Sequence, residues 1–129
     1  MIDIEKQVVY WRDGAVEDWE VAQDLIKQGR VRHGLFFAHL TLEKALKAHV
    51  CQKTSDLAPK IHDLVRLATL AGLSLTQVQL DLLAVFNTFN LYGRYPDTFS
   101  ASPSREQAQK YIEQAKEIYE WLKNQLSKA

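Results

Sequence analysis

The chain has 129 residues and a mass of 14.8 kDa, enough for one domain over residues 1–129 and too little for a second independent core. Hydrophobic residues make up 47% and charged residues 25%, which excludes global disorder. Sixteen basic and sixteen acidic residues cancel, which argues against a generic duplex-DNA binder, whose phosphate contacts need excess Lys and Arg. No apolar run approaches the roughly 20 residues needed to span a bilayer. The N-terminal MIDIEKQ has no apolar core, so it does not read as a signal peptide. Cys51 is the single cysteine, and no internal disulfide can form. A cytoplasmic protein is the expectation.

The charge is unevenly placed. Residues 1–26 carry seven acids and two bases, whereas residues 27–53 carry six bases, one acid and three of the four His. This polarity predicts that an acidic first helix lies beside a basic second helix, and it leaves room for a small anion site.

In chain order, the first element is an amphipathic helix from about Ile4 to Gln28. Val8, Trp11, Ala15, Trp19, Ala22, Leu25 and Ile26 recur at steps of three and four. Gly14 within it marks a close contact or a bend, and Gly29 stops it. The second helix spans about Val31 to Lys53, with Leu35, Ala38, Leu42, Ala45, Leu46, His49 and Val50 on its inward stripe. The short gap forces an antiparallel hairpin. A linker from Thr54 to Lys60 follows. His62-Asp63 opens a short third helix through Leu70, with Asp63 favourable at the positive end of the helix dipole, and Gly72 stops it. Thr76 with Gln79 forms a capping box ahead of a fourth helix carrying Val78, Leu82, Val85, Phe86 and Phe89. An eleven-residue connection, Tyr92 to Ser102, is long enough to suggest function. Ser102-Pro103 reads as the cap and first residue of a last helix that carries Tyr111, Ile112, Ile118, Tyr119 and Leu122. No segment alternates with period two. The expected fold class is all-α, an up-and-down bundle of four long helices plus one short one.

Three blocks then carry a resemblance: FFAHLTLEKALKAHV (Phe36 to Val50), IHDLVRL (Ile61 to Leu67) and YGRYPD (Tyr92 to Asp97). In this order they resemble the HEPN domain family (higher eukaryotes and prokaryotes nucleotide-binding), over nearly the whole chain. The resemblance implies a bundle of four or five helices that commonly forms a homodimer. It also implies kinship with small prokaryotic proteins encoded beside a minimal nucleotidyltransferase in toxin–antitoxin-like pairs. Several members of the family are toxin ribonucleases with an Arg, four to six residues, then a His. Arg94 matches the Arg. Phe99, Ser100 and Ala101 stand where the His belongs, and none of them can move a proton. No catalytic residue is assigned, so a binding module comes first, a toxin-type endoribonuclease using Arg94 second, and a purely structural interaction domain third.

The candidate nucleotide- or RNA-phosphate contacts are Arg94, Tyr95, Asp97, His39, Glu43 and Lys47. A guanidinium at Arg94 suits phosphate, and Tyr95 can stack on a base. Against this, Arg94 can pair with Glu43 or Asp97 while Tyr95 and Pro96 simply anchor the loop. His39, Glu43 and Lys47 fall at i, i+4 and i+8, so they share one helix face. That face either meets a ligand near Arg94 or holds an ordinary Glu43–Lys47 pair with a satisfied histidine. His39 and His62 are the histidines that could replace the missing motif His. His62-Asp63 also reads as no more than a helix start. Cys51 reads as a buried small residue. No metal or cofactor pattern is legible: two ligands do not make a zinc site, and Glu-x-x-His repeats and a Gly-rich phosphate loop are absent. Three Trp, five Tyr and five Phe are generous for a small bundle, and those left outside the core would favour a homodimer face.

Overall fold

The computed structural model describes residues 2–94 and 103–127, with side chains at 2–90 and 103–126. Five helices occur among them, and no strand: α1 (Ile4–Lys27), α2 (Val31–Thr54), α3 (Leu64–Leu70), α4 (Gln77–Arg94) and α5 (Arg105–Ser127). None is long and apolar enough to cross a membrane among the described residues.

Local chemistry sets most ends. Asp3 caps α1 by accepting from the Lys6 amide, and Asp63 caps α3 by accepting from the Val65 and Arg66 amides. Thr76 and Gln79 form the expected reciprocal box at 2.9 and 3.1 Å. Gly29 and Gly72 follow helix ends at positive φ, +77° and +67°.

Two boundaries correct the sequence reading. The last helix starts at Arg105, because Ser104 and Gln107 form a second capping box, at 3.0 and 3.1 Å, that Ser102-Pro103 obscured. The fourth helix continues through Arg94, so Tyr92, Gly93 and Arg94 belong to it rather than to a loop.

α2 is the axis of the bundle. It packs against each of the other four helices, and every residue from Thr41 to Cys51 except Lys44 is buried. Its tightest seam is with α1, where Ala15, Ala22, Ala38 and Ala45 bring the two backbones close. A Cβ at Gly34 would meet Ile26 Cδ1 at 2.5 Å and Cγ1 at 2.7 Å, so a larger residue there requires the Ile26 side chain to shift. A Cβ at Gly14 would come to 3.1 Å from the Lys44 stem, so Gly14 marks a close contact. Asp18 receives Lys44 at 2.8 Å, and the acidic helix therefore meets the basic one within one chain.

The remaining joints orient the helix ends. His49 Nε2 donates to the Leu122 carbonyl at 2.8 Å and bolts α2 to α5. Phe86 and Phe89, late in α4, pack edge-on against Tyr111, early in α5. The C-terminal end of α4 thus lies beside the N-terminal end of α5. Arg105 of α5 in turn lies over Gly29 in the α1–α2 turn. Cys51 is buried, and burial pushes its thiol pKa up, away from reactivity.

Candidate functional site

His39, Glu43 and Lys47 do come together on one face of α2, as their spacing requires, but that face points inward. Their exposures are 0%, 4% and 5%. Lys47 Nζ donates to Glu43 Oε2 at 3.1 Å and sits 5.0 Å from the centre of the Trp11 ring on α1. The Glu43–Lys47 pair is therefore not the solvated surface pair that i, i+4 spacing suggests. Inside the bundle it must be complete, because a buried charge that loses its partner costs about 3–5 kcal/mol.

The other Glu43 oxygen completes the arrangement. His62 Nδ1 donates to Glu43 Oε1 at 3.0 Å, and His39 Nδ1 lies 3.8 Å from the same oxygen. His39 Nε2 donates to the His62 carbonyl at 3.1 Å, which fixes the backbone that carries the His62 ring. The next residues are fixed as well. Asn87 of α4 accepts from the Leu64 amide at 2.9 Å and donates to Asp63 at 3.0 Å. α2, α3 and α4 thus hold one imidazole in place.

The His62 side chain itself is 52% exposed. With Nδ1–H committed to Glu43, Nε2 is the ring nitrogen left to accept a proton when the ring is neutral and to donate one when it is charged. The geometry is a solvent-facing histidine oriented by a buried carboxylate, which a buried lysine neutralises in turn. It can hold a phosphate oxygen or take a proton from a hydroxyl. His39, Glu43 and Lys47 reach a ligand only through His62.

Arg94 is the last residue of α4, and its side chain lies outside the described residues, as do Tyr95 and Asp97 altogether. Sequence reasoning reaches His62 only as a helix start or a distant substitute base. The signal for its role is the pairing of an IHDL turn with an interior-facing glutamate on the preceding helix. Asn87 and Trp11 carry no such signal. No three His, Cys, Asp or Glu side chains converge to hold a metal among the described residues.

The sequence matches the HEPN domain over residues 8–125. The chain belongs to the HEPN family. Two solved structures share its fold. One is TT1696 from Thermus thermophilus, with a TM-score of 0.76 and 21% identity, over 92% of this chain and 97% of that one. The other is ST0689, described as an archaeal HEPN homologue, with a TM-score of 0.68 and 23% identity, over 97% of this chain and 98% of that one. Among curated proteins none matches the sequence. At these identities the two structures speak to the fold alone. The functional reading therefore rests on the His62 site and on family membership.

Proposed function

We propose that this HEPN domain is a nucleotide- or RNA-phosphate-binding module that acts with a small nucleotidyltransferase partner, in a toxin–antitoxin-like pair, as a cytoplasmic homodimer. The observation that carries the reading is the half-exposed His62 imidazole held by buried Glu43 at 3.0 Å. A charged His62 donates Nε2–H to a phosphate oxygen while Glu43 keeps the ring in place through Nδ1–H. Arg94, Tyr95 and Asp97 are the further contacts of the proposed site.

A second reading, a toxin-type endoribonuclease, is favoured by the same pair. Glu43 holds His62 in the Nδ1–H tautomer, which leaves the Nε2 lone pair for a ribose 2′-hydroxyl, the logic of a carboxylate-oriented base. RNA cleavage also needs a proton donor for the leaving oxygen. Lys47 is buried against Glu43 and Trp11, and cannot serve. One of the two proton-handling roles is filled, so binding ranks first and cleavage second.

Two experiments test the proposal. A tagged pull-down, read by mass spectrometry, should recover a small nucleotidyltransferase in near-equal amount. Recovery of this chain alone would remove the two-component reading. Incubation with a single-stranded RNA separates binder from nuclease. Intact RNA with wild type supports binding. Cleavage that His62→Gln abolishes supports the nuclease.

A further inference from the structure

α4 and α5 meet where Phe86 and Phe89 pack on Tyr111. Towards the start of α4 and the end of α5, away from the ends that residues 95–102 connect, a groove of about 550 Å³ opens between them. Val78, Leu82 and Val85 line it from α4, and Tyr111, Ile118 and Trp121 line it from α5. Spacings of i, i+4 and i+7 on one helix, and of i, i+7 and i+10 on the other, put each set on one helix face. The bundle leaves part of this apolar surface in water. Val78 is 77% exposed, the most of any large apolar side chain among the described residues, and Val85, Leu82, Tyr111 and Trp121 are only partly covered. The rim is acidic: Asp81 stands between Val78 and Leu82, and Glu117 beside Ile118. Neither carboxylate is in a salt bridge among the described residues. Asp81 accepts from the neutral Gln77 side-chain amide at 2.8 Å, which leaves its charge in place.

A contiguous apolar surface in water marks an interaction site. An apolar channel between two helices, with charge along its edges, suits the apolar face of a third helix. Tyr111 and Trp121 are separated by about 15 Å of α5, the length of roughly three helical turns. The rim chooses among occupants. Carboxylates repel phosphate, so RNA and an anionic membrane surface do not suit the groove. A second copy of this chain suits it poorly too. A two-fold contact pairs one patch with itself and sets Asp81 and Glu117 against like charges. We infer that this groove docks an amphipathic helix of about three turns from a partner protein, its apolar stripe lying on Val78, Leu82, Val85 and Trp121 and its flanking Lys or Arg facing Asp81 and Glu117. None of His39, Glu43, Lys47 and His62 lines the groove, so the two sites are independent.

The test uses two synthetic helical peptides with the same leucine stripe, one flanked by lysines and the other by glutamates. Binding to the full chain is followed by calorimetry and by NMR of the tryptophan indole N–H groups. The lysine peptide should bind about tenfold or more tightly than the glutamate peptide. The Trp121 signal should move on binding, while those of Trp11 and Trp19 on α1 stay fixed. Val78→Lys changes an exposed position and leaves the core intact. It should weaken the lysine peptide by about tenfold or more. Asp81→Lys with Glu117→Lys should reverse the preference between the peptides, and His62→Gln should leave both affinities unchanged. Binding of neither peptide by wild type overturns the inference. So does equal binding of both, or binding that Val78→Lys leaves intact. A wild-type dimer that Val78→Lys dissociates in sedimentation gives the groove to a second copy and overturns the partner-helix assignment. Loss of RNA binding in His62→Gln with peptide binding intact supports two separate sites.

Discussion

α2 carries two clusters of charge that the fold treats in opposite ways. At its middle, Glu43 and Lys47 are buried and paired with each other, with His39, His62 and Trp11 completing the shell. At its start, Arg30 and Arg32 stand with Arg105 around an open cavity and have no acidic partner among the described residues. The first cluster is closed: removing a member exposes an interior charge. The second is open: removing a member relieves repulsion. Stability should therefore respond far more to mutation at the first than at the second.

The largest expected effect is on stability at the closed cluster. Lys47→Met leaves Glu43 buried without its cation and should cost about 3–5 kcal/mol in urea unfolding. Adding Glu43→Gln should recover part of that loss, and a purely additive double variant would show that the two residues do not act as a pair.

The next effect tests the seam that buries the closed cluster. Gly34→Ala drives a methyl into Ile26 and should cost about 1–3 kcal/mol, as overpacking does. A wild-type melting temperature in this variant would mean that α1 and α2 separate easily. At the open cluster, Arg30→Gln should leave thermal stability within about 0.5 kcal/mol of wild type, as for other exposed substitutions.

A smaller, pH-dependent effect belongs to His49. Burial lowers its pKa below the usual 6.5, and the hydrogen bond to the Leu122 carbonyl offsets only part of that. The folded state thus resists protonation that the unfolded chain accepts. The stability His49 provides is complete above pH 6.5 and is lost as pH falls through the lowered folded value. Melting temperature should drop between about pH 7 and pH 5, and the drop should be shallower in His49→Gln. Equal slopes would place the acid sensitivity elsewhere.

Much of this fold is legible in the sequence. The α1–α2 hairpin follows from Gly29 and from steps of three and four. The Thr76–Gln79 box follows from its spacing, and the meeting of α1 with α2 from the polarity of charge. The start of α5 is harder to read, because Ser102-Pro103 and Ser104…Gln107 offer competing caps, and only the reciprocal bonds choose between them. The burial of Glu43 and Lys47 is not legible. Their spacing is that of a solvated face, and the groups that cover them come from Trp11 and His62, which are distant in sequence. Of the candidate site, His39, Glu43 and Lys47 stand out together from their spacing, but the residue through which they act does not. Arg94 closes α4, and Tyr95 and Asp97 lie outside the described residues.

The four histidines sit in different surroundings: His33 at the open cavity, His39 and His49 inside, and His62 at the surface above Glu43. Imidazole nitrogen NMR therefore reads both clusters at once during titration with a short single-stranded RNA. If RNA phosphate is held at His62, its signals move and saturate while those of His49 stay fixed. Movement of His33 with His62 unchanged would contradict that, and would place RNA phosphate at the basic cavity instead.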